Sequence, residues 1–102
     1  MISFYFCRME FENFISSLSA GKPPEMVSAY LQSLWYDARG NWNKAHDLIQ
    51  DIHDSKASHI HAYLHRKEGD ASNAGYWYNR AGKPYPLVTL QEEWEALVKA
   101  LL

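Results

Sequence analysis

Leu31-Gln-Ser-Leu-Trp-Tyr-Asp-Ala-Arg-Gly40-Asn41-Trp-Asn-Lys-Ala45-His-Asp-Leu-Ile49 and, twenty-nine residues further on, Ile60-His-Ala-Tyr-Leu-His-Arg-Lys-Glu-Gly69-Asp70-Ala-Ser-Asn-Ala74-Gly-Tyr-Trp-Tyr78 are two versions of one pattern. Laid over each other, Leu31 falls on Ile60, Leu34 on Tyr63, Trp35 on Leu64, Gly40 on Gly69, Asn41 on Asp70, Ala45 on Ala74, Leu48 on Trp77 and Ile49 on Tyr78. Each half reads as an apolar stripe at spacings of three and four, a glycine, a capping Asn or Asp, and a second stripe that begins with a small alanine. Those spacings are the helical period. Glycine accepts the positive φ with which helices commonly end. The Asn or Asp after it can accept from the N–H groups left orphaned at the start of the next helix. Alanine at the crossing lets two helices approach. The stretch therefore predicts two equivalent helix–turn–helix units, 31–52 and 60–81.

The flanks extend the same reading. Phe11, Phe14, Ile15 and Leu18 give a helix over about 10–20, with Gly21 placed for a left-handed cap. Pro23-Pro24 would open the next helix, about 24–38, where a missing N–H is harmless; Val27, Tyr30, Leu31, Leu34, Trp35 and Ala38 form its inner stripe. Asn41 caps a helix of about 42–53, Ser55 one of about 56–67, and Asp70 one of about 71–81. Gly82-Lys-Pro-Tyr-Pro86 is a loop, because two prolines and a glycine do not fit a helix interior. Thr89 and Glu92 make a capping box for the last helix, whose inner face is Leu90, Trp94, Leu97, Val98 and Leu101. No stretch alternates in the manner of a strand. The expected fold is all-α: a single-domain helical bundle of about six helices over 1–102.

Two resemblances bear on this frame. The helix pair with a glycine near its turn, the alanines Ala45, Ala74 and Ala81 and the following Pro84 resemble tetratricopeptide-type repeats, although the period is shorter than the ~34 residues of that family. Asp37 to Gln50 and His61 to Gly82, with the signature His61-x-x-x-His65-Arg-x-Glu-Gly-Asp70-x-x-Asn73-Ala-x-Tyr-Trp-Tyr78, resemble a family of small, uncharacterised, mostly bacterial helical proteins. That resemblance covers about residues 9–86. It implies a cytoplasmic helical protein of roughly this length and supplies no activity.

Composition limits the partners. The chain has 102 residues, 47% of them hydrophobic and 15% aromatic, which is a globular rather than a disordered make-up. A chain of this length buries roughly 65% of its unfolded surface, enough for a core without disulfides or metal. The net charge of −2 argues against gripping nucleic acid or an anionic membrane surface. A lone cysteine, Cys7, forms no internal disulfide, so a reducing cytoplasm is the expected compartment. No apolar run approaches the ~18 residues of a membrane span. The apolar opening of the chain lacks a basic leader, and Met9-Glu-Phe-Glu reads like a second start site, so 1–8 is an expected N-terminal extension.

The residues that could carry chemistry are the histidines. Five occur, clustered in the middle of the chain. On a helix, His46, Gln50 and His53 share one stripe, His61, His65 and Glu68 a second with Arg66 at its border, and Asn73, Tyr76 and Arg80 a third. If the three helices are neighbours, the stripes converge on one groove. Three readings follow. The leading one is a binding or scaffold module, in which His46, Gln50, His61, His65, Arg66, Glu68, Asn73, Tyr76 and Arg80 recognise a peptide or small anionic ligand, with arginine as a bidentate clamp. The second is a metal-dependent or acid–base enzyme using His46, His61 and His65. His61 and His65 have the i, i+4 spacing that lets two imidazoles ligate one ion, but Ala62 stands where zinc-protease helices carry glutamate. The third is a polar network with no ligand, in which Arg66, Glu68 and Asp70 pin the Gly69 turn, Asn73 closes a capping exchange with Asp70, and Trp35, Trp42, Trp77 and Tyr78 are core. No cofactor is expected beyond a divalent metal under the second reading. The aromatic face around Trp94 makes a homodimer conceivable.

Overall fold

Gly40 and Gly69 both carry positive φ, +83° and +92°. Behind each, the next residue's N–H reaches back to close the finished helix, Asn41 to the Tyr36 carbonyl and Asp70 to the His65 carbonyl, both at 2.9 Å. Each then caps the helix that follows: the Asn41 side chain accepts from Lys44 N and that of Asp70 from Asn73 N. The two turns are the same device used twice, as the sequence predicts.

The computed structural model describes residues 9–102, so Cys7 and the expected 1–8 extension lie outside the described residues. Six helices follow in order: α1 Phe11–Ser17, α2 Ala29–Ala38, α3 Trp42–Ile49, α4 Ser55–Lys67, α5 Ala71–Ala81 and α6 Leu90–Leu101. Among the described residues there is no strand, and no helix is long and apolar enough to cross a membrane.

Four boundaries differ from the sequence reading, one of them the end of α3, which stops at Ile49 and not near residue 53. Helix α2 does not start at Pro23-Pro24. It starts after Ser28, whose side chain accepts from Leu31 N, because Met26 takes a positive φ of 69° that no helix tolerates. Helix α1 ends at Ser17 with Leu18 in right-handed geometry, so Gly21 is not its left-handed cap. Helix α4 is capped by Asp54, accepting from Ala57 N, and Ser55 is its first residue. The Thr89–Glu92 capping box of α6 is present in both directions.

Helix α4 is the centre of the bundle. It touches α2, α3, α5 and α6, and every residue from Ile60 to His65 is buried. Phe14, Leu34, Trp35, Ile49, Ile60, Leu64 and Val98 form the main core around it. Ala45 and Ala74 are fully enclosed, where a larger side chain would hold the hairpin partners apart. Trp94 is inside this core, its rings against Phe11 and Phe14 and its Nε1 donating to the Leu34 carbonyl at 3.0 Å. The Trp94 ring itself is therefore a core group, 4% exposed. Both α3 and α5 pack on α4, and His46 of α3 meets His61 and His65 of α4.

Candidate metal centre

His61 and His65 stand one turn apart on α4, their rings stacked with centroids 4.9 Å apart. His46 reaches across from α3 until its Nε2 lies 2.9 Å from the His61 Nε2. One ring nitrogen from each of His46, His61 and His65 lies within 4.8 Å of the other two. Three of the five histidines thus converge.

Indoles hold them there. Trp42, one turn before His46, stacks on its imidazole at 4.9 Å and 13°. Its Nε1 donates to the Leu64 carbonyl at 2.7 Å, which ties α3 to α4 beside the histidines. Trp77 from α5 stacks on His61 at 3.9 Å and 15°. Both indoles are half-buried walls of the cluster; the expectation that they are core is met fully only by Trp35 and Tyr78.

His65 is oriented from outside. Its Nδ1 lies 2.7 Å from Glu68 Oε2, so the carboxylate accepts the Nδ1 proton and Nε2 is the ring nitrogen on the other edge. Asn73 Nδ2, on α5, lies 3.5 Å from that Nε2. The Asn73 side chain therefore faces the histidines, while its backbone N–H serves the Asp70 cap. This carboxylate–histidine arrangement is what fixes tautomer and raises basicity at metal-bound imidazoles.

The electrostatics favour neutral rings at His46 and His61. Burial pushes His61 down to about 4, helped by the neighbouring His46 and His65. Burial and the proximity of His65 also lower His46. Two Nε2 atoms 2.9 Å apart share at most one proton between them. His46 and His61 are thus held toward the neutral form, as electron-pair donors, which suits a cation better than a bare anion. Ideal tetrahedral Zn–N bonds of 2.0–2.1 Å place their nitrogens roughly 3.3 Å apart. One pair lies at 2.9 Å and all three nitrogens within 4.8 Å of one another, separations of the order that a single ion requires.

The remaining candidates are placed elsewhere. Arg66 turns to α6, donating to Glu93 Oε1 at 2.8 Å and to the Val88 carbonyl. It does not face the histidines, and the expected Arg66–Glu68–Asp70 network around Gly69 is replaced by Arg66–Glu93 and His65–Glu68 pairs. Gln50 meets Asp47 on its own helix, at the exposed surface. His53 falls beyond the end of α3 and is exposed, so the stripe expected through His46, Gln50 and His53 is broken. Tyr76 and Arg80 sit at the rim, with the Arg80 guanidinium 5.4 Å above the Trp77 ring.

Two buried acids were not candidates in the sequence. Glu93 accepts from Arg66 and from the Tyr78 hydroxyl, with His59 at 3.6 Å. Burial pushes its carboxyl up, but the bonds from His59, Tyr78 and Arg66 outweigh this and hold it below the ordinary value. Asp37 accepts from the Tyr63 hydroxyl at 3.0 Å and from Lys67 Nζ at 3.1 Å. Both acids lie on apolar stripes, Asp37 three residues after Leu34 and Glu93 four before Leu97, and a charge at such a position was the available signal.

No family model, curated protein or solved structure matches this chain.

Proposed function

We propose that this protein binds a divalent transition metal through His46, His61 and His65, with Glu68 as the outer carboxylate on His65. The convergence of the three imidazole nitrogens within 4.8 Å of one another carries this reading. Imidazole donors suit zinc, copper, iron and nickel, and the low basicity of His61 and His46 keeps their lone pairs free at neutral pH. Two tetratricopeptide-like hairpins, α2–α3 and α4–α5, are the scaffold in this proposal; the matching turns at Gly40 and Gly69 support that description. An anionic partner, expected from the sequence in a groove with His46, His65, Arg66, Asn73 and Arg80, is less well served in one part, since Arg66 is engaged with Glu93.

The test is metal stoichiometry on untagged protein. Wild type titrated with zinc or cobalt takes up one ion per chain; His61→Ala and His46→Ala lose it while circular dichroism keeps the helical signature. His46 is half-buried and its replacement tests the reading even where His61→Ala fails to fold. Wild-type protein that binds neither ion stoichiometrically overturns the proposal.

A further inference from the structure

We infer that the metal held by His46, His61 and His65 keeps a fourth position open beside Asn73, and that this position takes a small oxygen anion of the carboxylate class. The inference rests on the metal reading above and adds the ligand.

The donor count is the first argument. The described residues bring three histidines together, and the neighbouring carboxylate of Glu68 belongs instead to a grouping with His65 and Asp70. Its Oε2 is already engaged at His65 Nδ1, on the opposite edge of the ring from Nε2. Trp42 and Trp77 stack on His46 and His61 with their faces, which supply no donor atom. Three histidine ligands from among the described residues would leave a fourth position for an exchangeable ligand, as in catalytic zinc sites, whereas structural sites are closed by four.

Asn73 supplies the second argument. Its Nδ2 sits 3.5 Å from His65 Nε2, a long contact to the atom whose lone pair the metal would claim. Once that lone pair is directed at an ion, the amide loses its acceptor and becomes a half-buried donor next to the metal. A metal-bound carboxylate has a second oxygen to accept from it. Asn73 is thus a positioning residue for the incoming ligand and not a metal ligand itself. The Arg80 guanidinium over Trp77 adds positive charge on the same face of α5. On this inference the anion expected from the sequence at this face would be held by way of the metal.

The experiment uses the full chain loaded with cobalt(II), whose visible absorption reports coordination number and ligand set. Metal uptake is measured first, then acetate and azide are titrated into fully loaded samples. The expected result is a saturable spectral change with both anions in wild type. Acetate affinity falls by about tenfold in Asn73→Leu and in Asn73→Ala, the scale of one hydrogen bond to a charged acceptor. Azide is affected less, because it lacks the second carboxylate oxygen. Cobalt bound one-to-one with a spectrum that neither anion alters would overturn this inference and leave the metal reading standing. Equal acetate affinity in wild type and both variants would remove the role of Asn73. Absence of cobalt uptake in wild type defeats both claims.

Discussion

Replacing Glu68 with Gln separates a metal centre from an ordinary hydrogen-bond network. The carboxylate lies 2.7 Å from His65 Nδ1, with its side chain 38% exposed. In the metal-free protein this pair contributes little, because the Glu68 end is open to solvent and screened pairs of this kind are worth about 0–1 kcal/mol. Glu68 is also the C-cap of α4, where a negative charge is disfavoured by the helix dipole. Metal-free Glu68→Gln should therefore melt within ~2 °C of wild type, about 0.5 kcal/mol for a domain of this size. Metal binding should suffer more. Loss of an outer carboxylate typically costs 10–100-fold in affinity, and the exposure of Glu68 places it near the lower end, about tenfold. With metal at a hundred times the wild-type Kd, wild type gains about 2.7 kcal/mol, or about 13 °C in Tm. At the same free metal the variant gains about 1.4 kcal/mol, or about 7 °C. Competition against a chromophoric chelator gives the affinities, and thermal melts with and without metal give the shifts. A variant that loses well over 1 kcal/mol without metal, and shows wild-type affinity with it, would refute the assignment of Glu68.

Three further predictions concern the scaffold. Gly75 lies inside α5 with nothing within 4 Å of an added Cβ; Gly75→Ala should stabilise by about 1 kcal/mol, whereas Gly69→Ala, at φ +92°, should cost about as much, both read by urea melts. Glu93→Ala removes the partner of Arg66 and of the Tyr78 hydroxyl and should cost about 3–5 kcal/mol. Because the Glu93 carboxyl is held below its ordinary value, its contribution is present above that value and disappears as pH falls through the lowered one. Acid titration of wild type should accordingly lose stability more steeply than Glu93→Gln, and parallel curves would contradict the network. Leu34→Ala, at a fully enclosed position, should cost roughly 2–5 kcal/mol by chemical denaturation with the fold kept.

The sequence made the local devices readable. Gly40 with Asn41, Gly69 with Asp70, and Thr89 with Glu92 each act within a few residues, and each behaves as the residue types require. Reading the apolar period past its end was less secure. Ile52 continues the stripe of α3, yet the helix stops at Ile49, which carries His53 out of the row it was expected to share with His46. Periodicity reports which face is apolar and not where hydrogen bonding ends. Likewise Pro23-Pro24 suits a helix start, but the Ser28 cap prevails. The convergence of His46 with His61 and His65 followed from treating α3, α4 and α5 as neighbours. The partner of Arg66 did not, since Glu93 is twenty-seven residues away and only the docking of α6 brings it near.

The four tryptophans divide into two kinds of environment. Trp35 and Trp94 are sealed among aliphatic and aromatic neighbours, while Trp42 and Trp77 lie flat against imidazoles of the centre. If the proposed metal site is real, the molecule carries its own optical gauge. A paramagnetic ion such as copper(II), seated among the histidines, would quench the emission of the second pair, which touches the imidazoles, more than that of the first. Fractional loss of intrinsic fluorescence would then report occupancy with no dye, tag or label attached.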